Sequence, residues 1–230
     1  MEGYELGDLI LERLRRAFKI DEEEFVALKV ARSTGDPFKA LVATIISQNT
    51  AERNTREAYR RLEEQIGVEP RRILEAGPRR VAEAIRPAGL QDAKARAIVE
   101  AARLIVEKYG GDMSRLMEKG VDAVRGELLS LPGVGEKTVD VVLSNWGYPV
   151  VAVDTHVRRV ALRLGLADSP SYRAVREALH RVFRPEKRLE AHLLLIKLGR
   201  EVCKARNPRC DVCPLRDICR YARERGVSTR

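Results

Sequence analysis

LPGVGEKTVDVV, Leu131 to Val142, is the stretch that interrupts an otherwise helical pattern. Gly133 and Gly135 stand two positions apart, so the backbone can turn tightly, with φ values closed to other residues. Few side chains shield this turn. Backbone N–H groups at the start of the next helix can therefore approach a phosphate closely. Such contacts position a nucleic acid without reading its sequence. A glycine pair also serves an ordinary helix–turn–helix connection, and the motif alone does not decide between the two. Lys137, read alone, is a solvated helix lysine.

Outward from this turn, apolar residues recur at helical spacing in both directions. On the C-terminal side, Val139, Val142, Leu143 and Trp146 form one stripe, and Val157, Val160, Ala161 and Leu164 form the next, ending at Gly165. Val175, Leu179 and Val182 repeat the spacing, as do Leu189, Leu193 and Ile196. On the N-terminal side, Val121 to Leu129 leads into the turn. Before it, Asp92 is expected to cap a helix with Ile98, Ala102, Ile105 and Tyr109 on one face, closed by Gly110-Gly111. A short helix is expected around Val81, Ala84 and Ile85, and another along Tyr59, Leu62 and Ile66. Asp36-Pro37 opens the Phe38, Leu41, Val42, Ile45 stripe, with a capping carboxylate before proline at the first helical position. Leu6, Leu9, Ile10, Leu14 and Phe18 mark an N-terminal helix. Only Val150 to Val153 looks strand-like, and it reads as an extended linker. The fold class is all-α.

Two further segments carry chemistry. In VAVDTHVRRV, Val151 to Val160, Asp154 fits a helix N-cap, although Thr155 could cap and leave the Asp154 carboxylate free. Arg158 and Arg159 suit either phosphate contacts or a solvated face. His156, His180 and His192 are scattered and read as structural, with a DNA contact conceivable only at His156. The four cysteines, Cys203, Cys210, Cys213 and Cys219, follow a C-x6-C-x2-C-x5-C pattern. Crowding into one short stretch points to metal ligands, and from spacing alone zinc and an iron–sulfur cluster both remain open. Lys204, Arg206, Arg209, Arg216 and Arg220 surround them.

Composition agrees with a polyanionic partner. Lys and Arg number 43 against 34 Asp and Glu, a net charge of +9 over 230 residues, and such an excess favours phosphate neutralisation with counterion release. With 44% hydrophobic residues a packed core is within reach. No long apolar run suits a membrane span, and the acidic start MEGYELGDL lacks a signal-peptide core. The reading is a prokaryotic protein of the cytoplasm, associated with the nucleoid. Scarce Asn and Gln lean towards a thermophile.

The hairpin string, together with SQNT (Ser47 to Thr50), the Gly89-Leu90 turn, VDTH and the cysteine spacing, resembles the endonuclease III superfamily of helix-hairpin-helix DNA glycosylases. The motifs fall in that family's order from about Asp36 to Cys219. The resemblance implies that Lys137 is a nucleophile and Asp154 the catalytic carboxylate. An amine attacks only when unprotonated, and both the positive end of a helix and partial burial disfavour the ammonium form. A fixed carboxylate opposite developing positive charge on the sugar is electrostatic preorganisation. The resemblance also implies a [4Fe–4S] cluster on the four cysteines. Gln48 and Leu90 would fill the hole left by a flipped nucleotide, while Gly133, Val134, Gly135 and Arg158 would contact the backbone. Glu136, where a basic residue is more usual, and Ala51, where an acidic one is common, depart from the bacterial pattern.

The implied architecture has two helical lobes with a DNA-binding cleft between them. Residues 31–149 would form a helical barrel with the hairpin. Residues 1–30 and 150–230 would form a discontinuous domain with the cluster loop at 203–219. The implied function is a monomeric base-excision glycosylase with AP lyase activity, acting on oxidised or ring-saturated pyrimidines or abasic sites in duplex DNA. The alternatives are a mismatch thymine or uracil or oxidised-purine glycosylase of the same superfamily, a non-enzymatic hairpin DNA-binding module, and a zinc-stapled structural protein.

Overall fold

The computed structural model describes residues 3–226, and the outermost residues of the expected discontinuous domain, 1–2 and 227–230, lie outside it. The regular secondary structure of the described residues is all helical, without a strand. They cluster as two compact units, Met1–Ile20 with Pro149–Arg230, and Asp21–Tyr148. None of their helices is long and apolar enough to cross a membrane.

Helix α1 (Tyr4–Ala17) opens the chain and belongs to the first unit. The second unit holds α2 (Val26–Thr34), α3 (Pro37–Ser47), α4 (Glu52–Gln65), α5 (Pro70–Ala84), α6 (Gln91–Tyr109), α7 (Ser114–Met117), α8 (Val121–Leu129) and α9 (Glu136–Asn145). The chain then returns to the first unit with α10 (Thr155–Leu164), α11 (Tyr172–Val182), α12 (Arg188–Glu201) and α13 (Arg220–Glu224).

Each unit is built around one helix buried on nearly every side, as expected where the apolar stripe runs all round. In the second unit it is α3, where Phe38, Leu41, Val42, Ile45 and Ile46 are all fully or almost fully buried. Asp36 starts it as the sequence suggests, its Oδ1 accepting from the N–H groups of Phe38 (2.8 Å) and Lys39 (3.2 Å). In the first unit it is α12, buried continuously from Ala191 to Gly199. Helix α1 packs on α11 and α12. At Gly7 the space for a Cβ is already taken by the Val182 carbonyl, so only glycine lets these two helices approach.

Three expectations are corrected. The first domain boundary falls after Ile20, not residue 30, because α2 buries Val26, Leu28 and Val30 and packs on α3 and α9. The short helix around Val81 is the second half of a longer helix, α5, kinked at Gly77-Pro78. Asp92 does not cap α6. Leu90 sits at the N-cap in a left-handed conformation (φ 50°, ψ 31°), which places Asp92 inside the first turn.

Val150 to Val153 is extended and buried but pairs with no strand. Side chains of its own unit satisfy its backbone instead. The Val151 N–H donates to His180 Nε2 (3.0 Å), His192 Nδ1 donates to the Ala152 carbonyl (2.8 Å), and the Val153 N–H donates to the Tyr172 hydroxyl (3.4 Å). Two of the three histidines thus have structural roles.

Candidate functional site

The hairpin lies between α8 and α9. Gly133 has φ +74°, a conformation that L side chains rarely adopt, whereas Gly135 has φ −105° and no such need. A Cβ on Gly135 would meet nothing within 4 Å, so its openness rather than its dihedral is what the turn uses. Val134 faces inward, 6% exposed, and its N–H donates to the Leu131 carbonyl (3.2 Å). It anchors the turn while the glycines on either side stay exposed. Gly135 precedes α9 without any side-chain cap, which leaves the first N–H groups of that helix to other acceptors. Lys137 is the second residue of α9 and is half-buried. Beneath the hairpin, Arg125 of α8 pairs with the fully buried carboxylate of Asp140 on α9.

Two other turns of the same unit are tied to this one. Gln48 is half-buried at the end of α3. Its side-chain amide donates to the Gly133 carbonyl (3.2 Å) and the Thr138 hydroxyl (2.9 Å). Leu90 is 64% exposed, among the few large apolar side chains presented to solvent. An exposed leucine on a left-handed backbone carries a cost of roughly 1–2 kcal/mol with little burial to offset it, and strain of this kind clusters at functional sites. Sequence reasoning missed the side chain that joins these turns. Lys94 is 3% exposed, and its amine donates to the Ile46 carbonyl (2.9 Å), the Thr50 hydroxyl (2.6 Å) and the Ala88 carbonyl (3.0 Å). Burial pulls this amine down to about 8.

In the other unit, Asp154 is the N-cap of α10, its Oδ1 accepting from the Val157 N–H (2.7 Å), and Thr155 is the first helical residue. The cap fixes the carboxylate's orientation. Arg158 is half-buried, and its buried Nε has no hydrogen-bond partner. Arg159 turns away to the cysteine loop, where Nε donates to the Cys203 carbonyl (2.8 Å) and Nη2 to the Gly199 carbonyl (2.8 Å).

The four cysteines line one small cavity of about 20 Å³. Among the described residues no three His, Cys, Asp or Glu side chains are placed to hold a single metal ion. Four thiols around a shared cavity fit the four-cysteine ligand set of an iron–sulfur cubane. Burial pushes the Cys213 thiol up to about 11 and raises that of Cys210, so holding these ligands as thiolates calls for positive charge in the cavity. Arg163, not singled out from sequence, braces the loop. Its guanidinium lies over the Tyr221 ring at 4.6 Å and donates to Cys203 Sγ (3.4 Å), the Lys204 carbonyl (2.7 Å) and the Ala205 carbonyl (3.1 Å). Lys204, Arg206 and Arg209 remain exposed, whereas Arg220 is engaged by Asp168 (2.9 Å).

Residues 42–185 match the HhH-GPD superfamily base excision DNA repair protein family, and residues 203–219 match the iron–sulfur binding domain of endonuclease III. Endonuclease III of Sulfolobus acidocaldarius is 37% identical, over 94% of this chain and 96% of that one. Endonuclease III of Thermotoga maritima is 36% identical, over 83% and 86%. A solved structure of a trapped endonuclease III–DNA covalent intermediate aligns with TM-score 0.72 at 30% identity, covering 90% of this chain and all of that one.

Proposed function

The chain belongs to the HhH-GPD superfamily of base excision DNA repair proteins, and from that premise we propose that it removes oxidised or ring-saturated pyrimidines from duplex DNA through a covalent imine on Lys137. It is a DNA glycosylase with AP lyase activity and carries a [4Fe–4S] cluster. Its partner is DNA.

In the proposed chemistry the neutral Lys137 amine attacks C1′ of the damaged nucleotide. The bond from C1′ to the base breaks, and the base leaves with the electron pair and takes up a proton. The C1′–O4′ bond then breaks with its electron pair going to O4′, O4′ takes up the remaining proton of the amine, and the C1′–N bond becomes an imine. Loss of a C2′ proton then expels the 3′ phosphate, which nicks the strand by β-elimination. Asp154 supplies the carboxylate that faces the cationic sugar. Its Oδ1 is fixed by the cap, and Oδ2 is the atom assigned to the chemistry.

The observation that carries this reading is the place of Lys137, half-buried in the first turn of α9 directly after an uncapped, glycine-flanked turn. A strand whose phosphate sits on the N–H groups of the exposed Gly133 and Gly135 brings its sugar to this lysine. Leu90, exposed and already held on a strained backbone, is the side chain assigned to the hole left by the flipped nucleotide. Gln48 shares that task only by giving up its bonds to Gly133 and Thr138, each worth roughly 0.5–1.5 kcal/mol. Arg158, half-buried on α10, is assigned to a phosphate. When bound, the cluster closes the cysteine loop covalently, and the exposed Lys204, Arg206 and Arg209 on that loop add phosphate contacts.

Borohydride trapping on a thymine glycol duplex tests the proposal. Wild type should form a covalent adduct and Lys137→Ala none. An adduct of undiminished yield with Lys137→Ala would overturn the assignment. A wild-type adduct with an abasic duplex but not with thymine glycol would overturn the substrate class alone.

A further inference from the structure

We infer that Lys94 is the positioning residue that clamps the Gln48 turn to the Leu90 turn, so that both are set against the hairpin before DNA arrives. The inference rests on the reading that these two turns enter the DNA.

The acceptors of the Lys94 amine come from two separate turns. Ile46 lies two residues before Gln48 and Thr50 two residues after it, while Ala88 lies two residues before Leu90. The Thr50 hydroxyl continues the clamp, since it accepts from Lys94 and reaches the Ala88 carbonyl at 2.7 Å and the Gln48 carbonyl at 3.0 Å. The Lys94 backbone N–H donates to the Leu90 carbonyl at 3.1 Å, which ties the same residue to the first turn of α6. Through Gln48 the clamp extends to Gly133 and Thr138.

Burying an amine is costly, and a methionine or leucine of similar volume would serve packing alone at lower cost. What an apolar side chain cannot do is hold three oxygens from two turns at hydrogen-bond distance. A left-handed leucine persists only where its surroundings over-determine it, and here Lys94 fixes the backbone on both sides of Leu90. Held in this way, the backbones of the two turns need no reordering when the duplex is opened, and only the Gln48 side chain has to leave its bonds, which is the gain from preorganisation.

The test compares borohydride trapping rates on an abasic site in a duplex and in a single strand. A single strand has no partner base and no hole to fill, so it needs Lys137 but not the two turns. Lys94→Met keeps the volume and removes the donors. Its duplex-to-single-strand rate ratio should fall at least about tenfold, as expected for losing hydrogen bonds from a charged donor. Thr50→Val, which removes the shared hydroxyl, should lower the ratio in the same direction by less. It also keeps the test open should Lys94→Met fail to give a cooperative melt.

Leu90→Ala in the same assay separates the two levels of the argument. A lowered ratio for Leu90→Ala with wild-type ratios for Lys94→Met and Thr50→Val would overturn the clamp and leave the function standing. A wild-type ratio for Leu90→Ala would overturn the reading of the turns, and the clamp with it.

Discussion

Leu90→Gly exchanges an exposed side chain on a left-handed backbone for a residue that adopts that backbone freely. Three effects set its stability. Relief of the strain at φ 50° contributes roughly 1–2 kcal/mol. With Leu90 64% exposed, about a third of its side chain is buried, and losing that burial costs roughly 0.5–1 kcal/mol. The extra freedom of glycine in the unfolded chain costs roughly 0.5–1 kcal/mol more. The sum lies within about 1 kcal/mol of zero, a shift in Tm below roughly 4 °C for a chain of this length. Leu41→Ala, at a site 0% exposed, should by contrast cost roughly 2–5 kcal/mol. Excision should move the other way, because nothing then fills the hole left by the flipped nucleotide. A single-turnover rate at least about tenfold slower is expected, equal to about 1.4 kcal/mol of lost transition-state stabilisation. Thermal melts and single-turnover excision on one duplex check both halves. A destabilisation above about 2 kcal/mol would show that Leu90 is a packing residue, and an unchanged excision rate would show that its exposure has no part in the reaction.

Arg125→Met should lower stability by about 3 kcal/mol, since it removes the cation beside the fully buried Asp140 carboxylate, while Asp140→Asn should cost less because the charge goes too; denaturant unfolding of both checks the order. Gly7→Ala should destabilise by roughly 1–3 kcal/mol, because its Cβ would overlap the Val182 carbonyl and push α1 off α11; a melt equal to wild type would contradict that packing. Burial lowers the Lys94 amine to about 8 in the folded chain, below its free value of about 10.4, so between those values the unfolded chain binds more protons and this group makes stability rise with pH. Its ammonium form costs most below about pH 8, and the cost is gone above about 10.4. Wild type should therefore gain about 2 kcal/mol on Lys94→Met between pH ~7.5 and ~9.5. Paired unfolding curves at those two values check it, and a constant gap would contradict the shift.

Features whose physics is local are legible from the residues alone. Helical period fixed an all-α class, Asp36-Pro37 marked the start of α3, and the glycine pair marked the turn before α9. The sequence also put Lys137 in the first turn of α9 and four cysteines in one short loop, because those statements need only residue spacing. Even locally, competition between residues left room for error. Asp92 looks like a cap, yet Leu90 starts α6, because the Lys94 bonds and the Gly89-Leu90 backbone set the helix origin two residues earlier than a capping preference would. Tertiary structure decided what no window of sequence contains. Gln48 bonds residues 85 and 90 positions away, Lys94 draws on a carbonyl 48 positions away, and Arg159 and Arg163 reach the cysteine loop across 44 and 40. Likewise α2 sides with the helices that follow it, and Val150 to Val153 stays extended without a strand partner because His180, His192 and Tyr172 satisfy its backbone. A spacing rule reads neighbours along the chain, whereas a buried amine or an unpaired carbonyl is answered by whichever group the packed core brings to it.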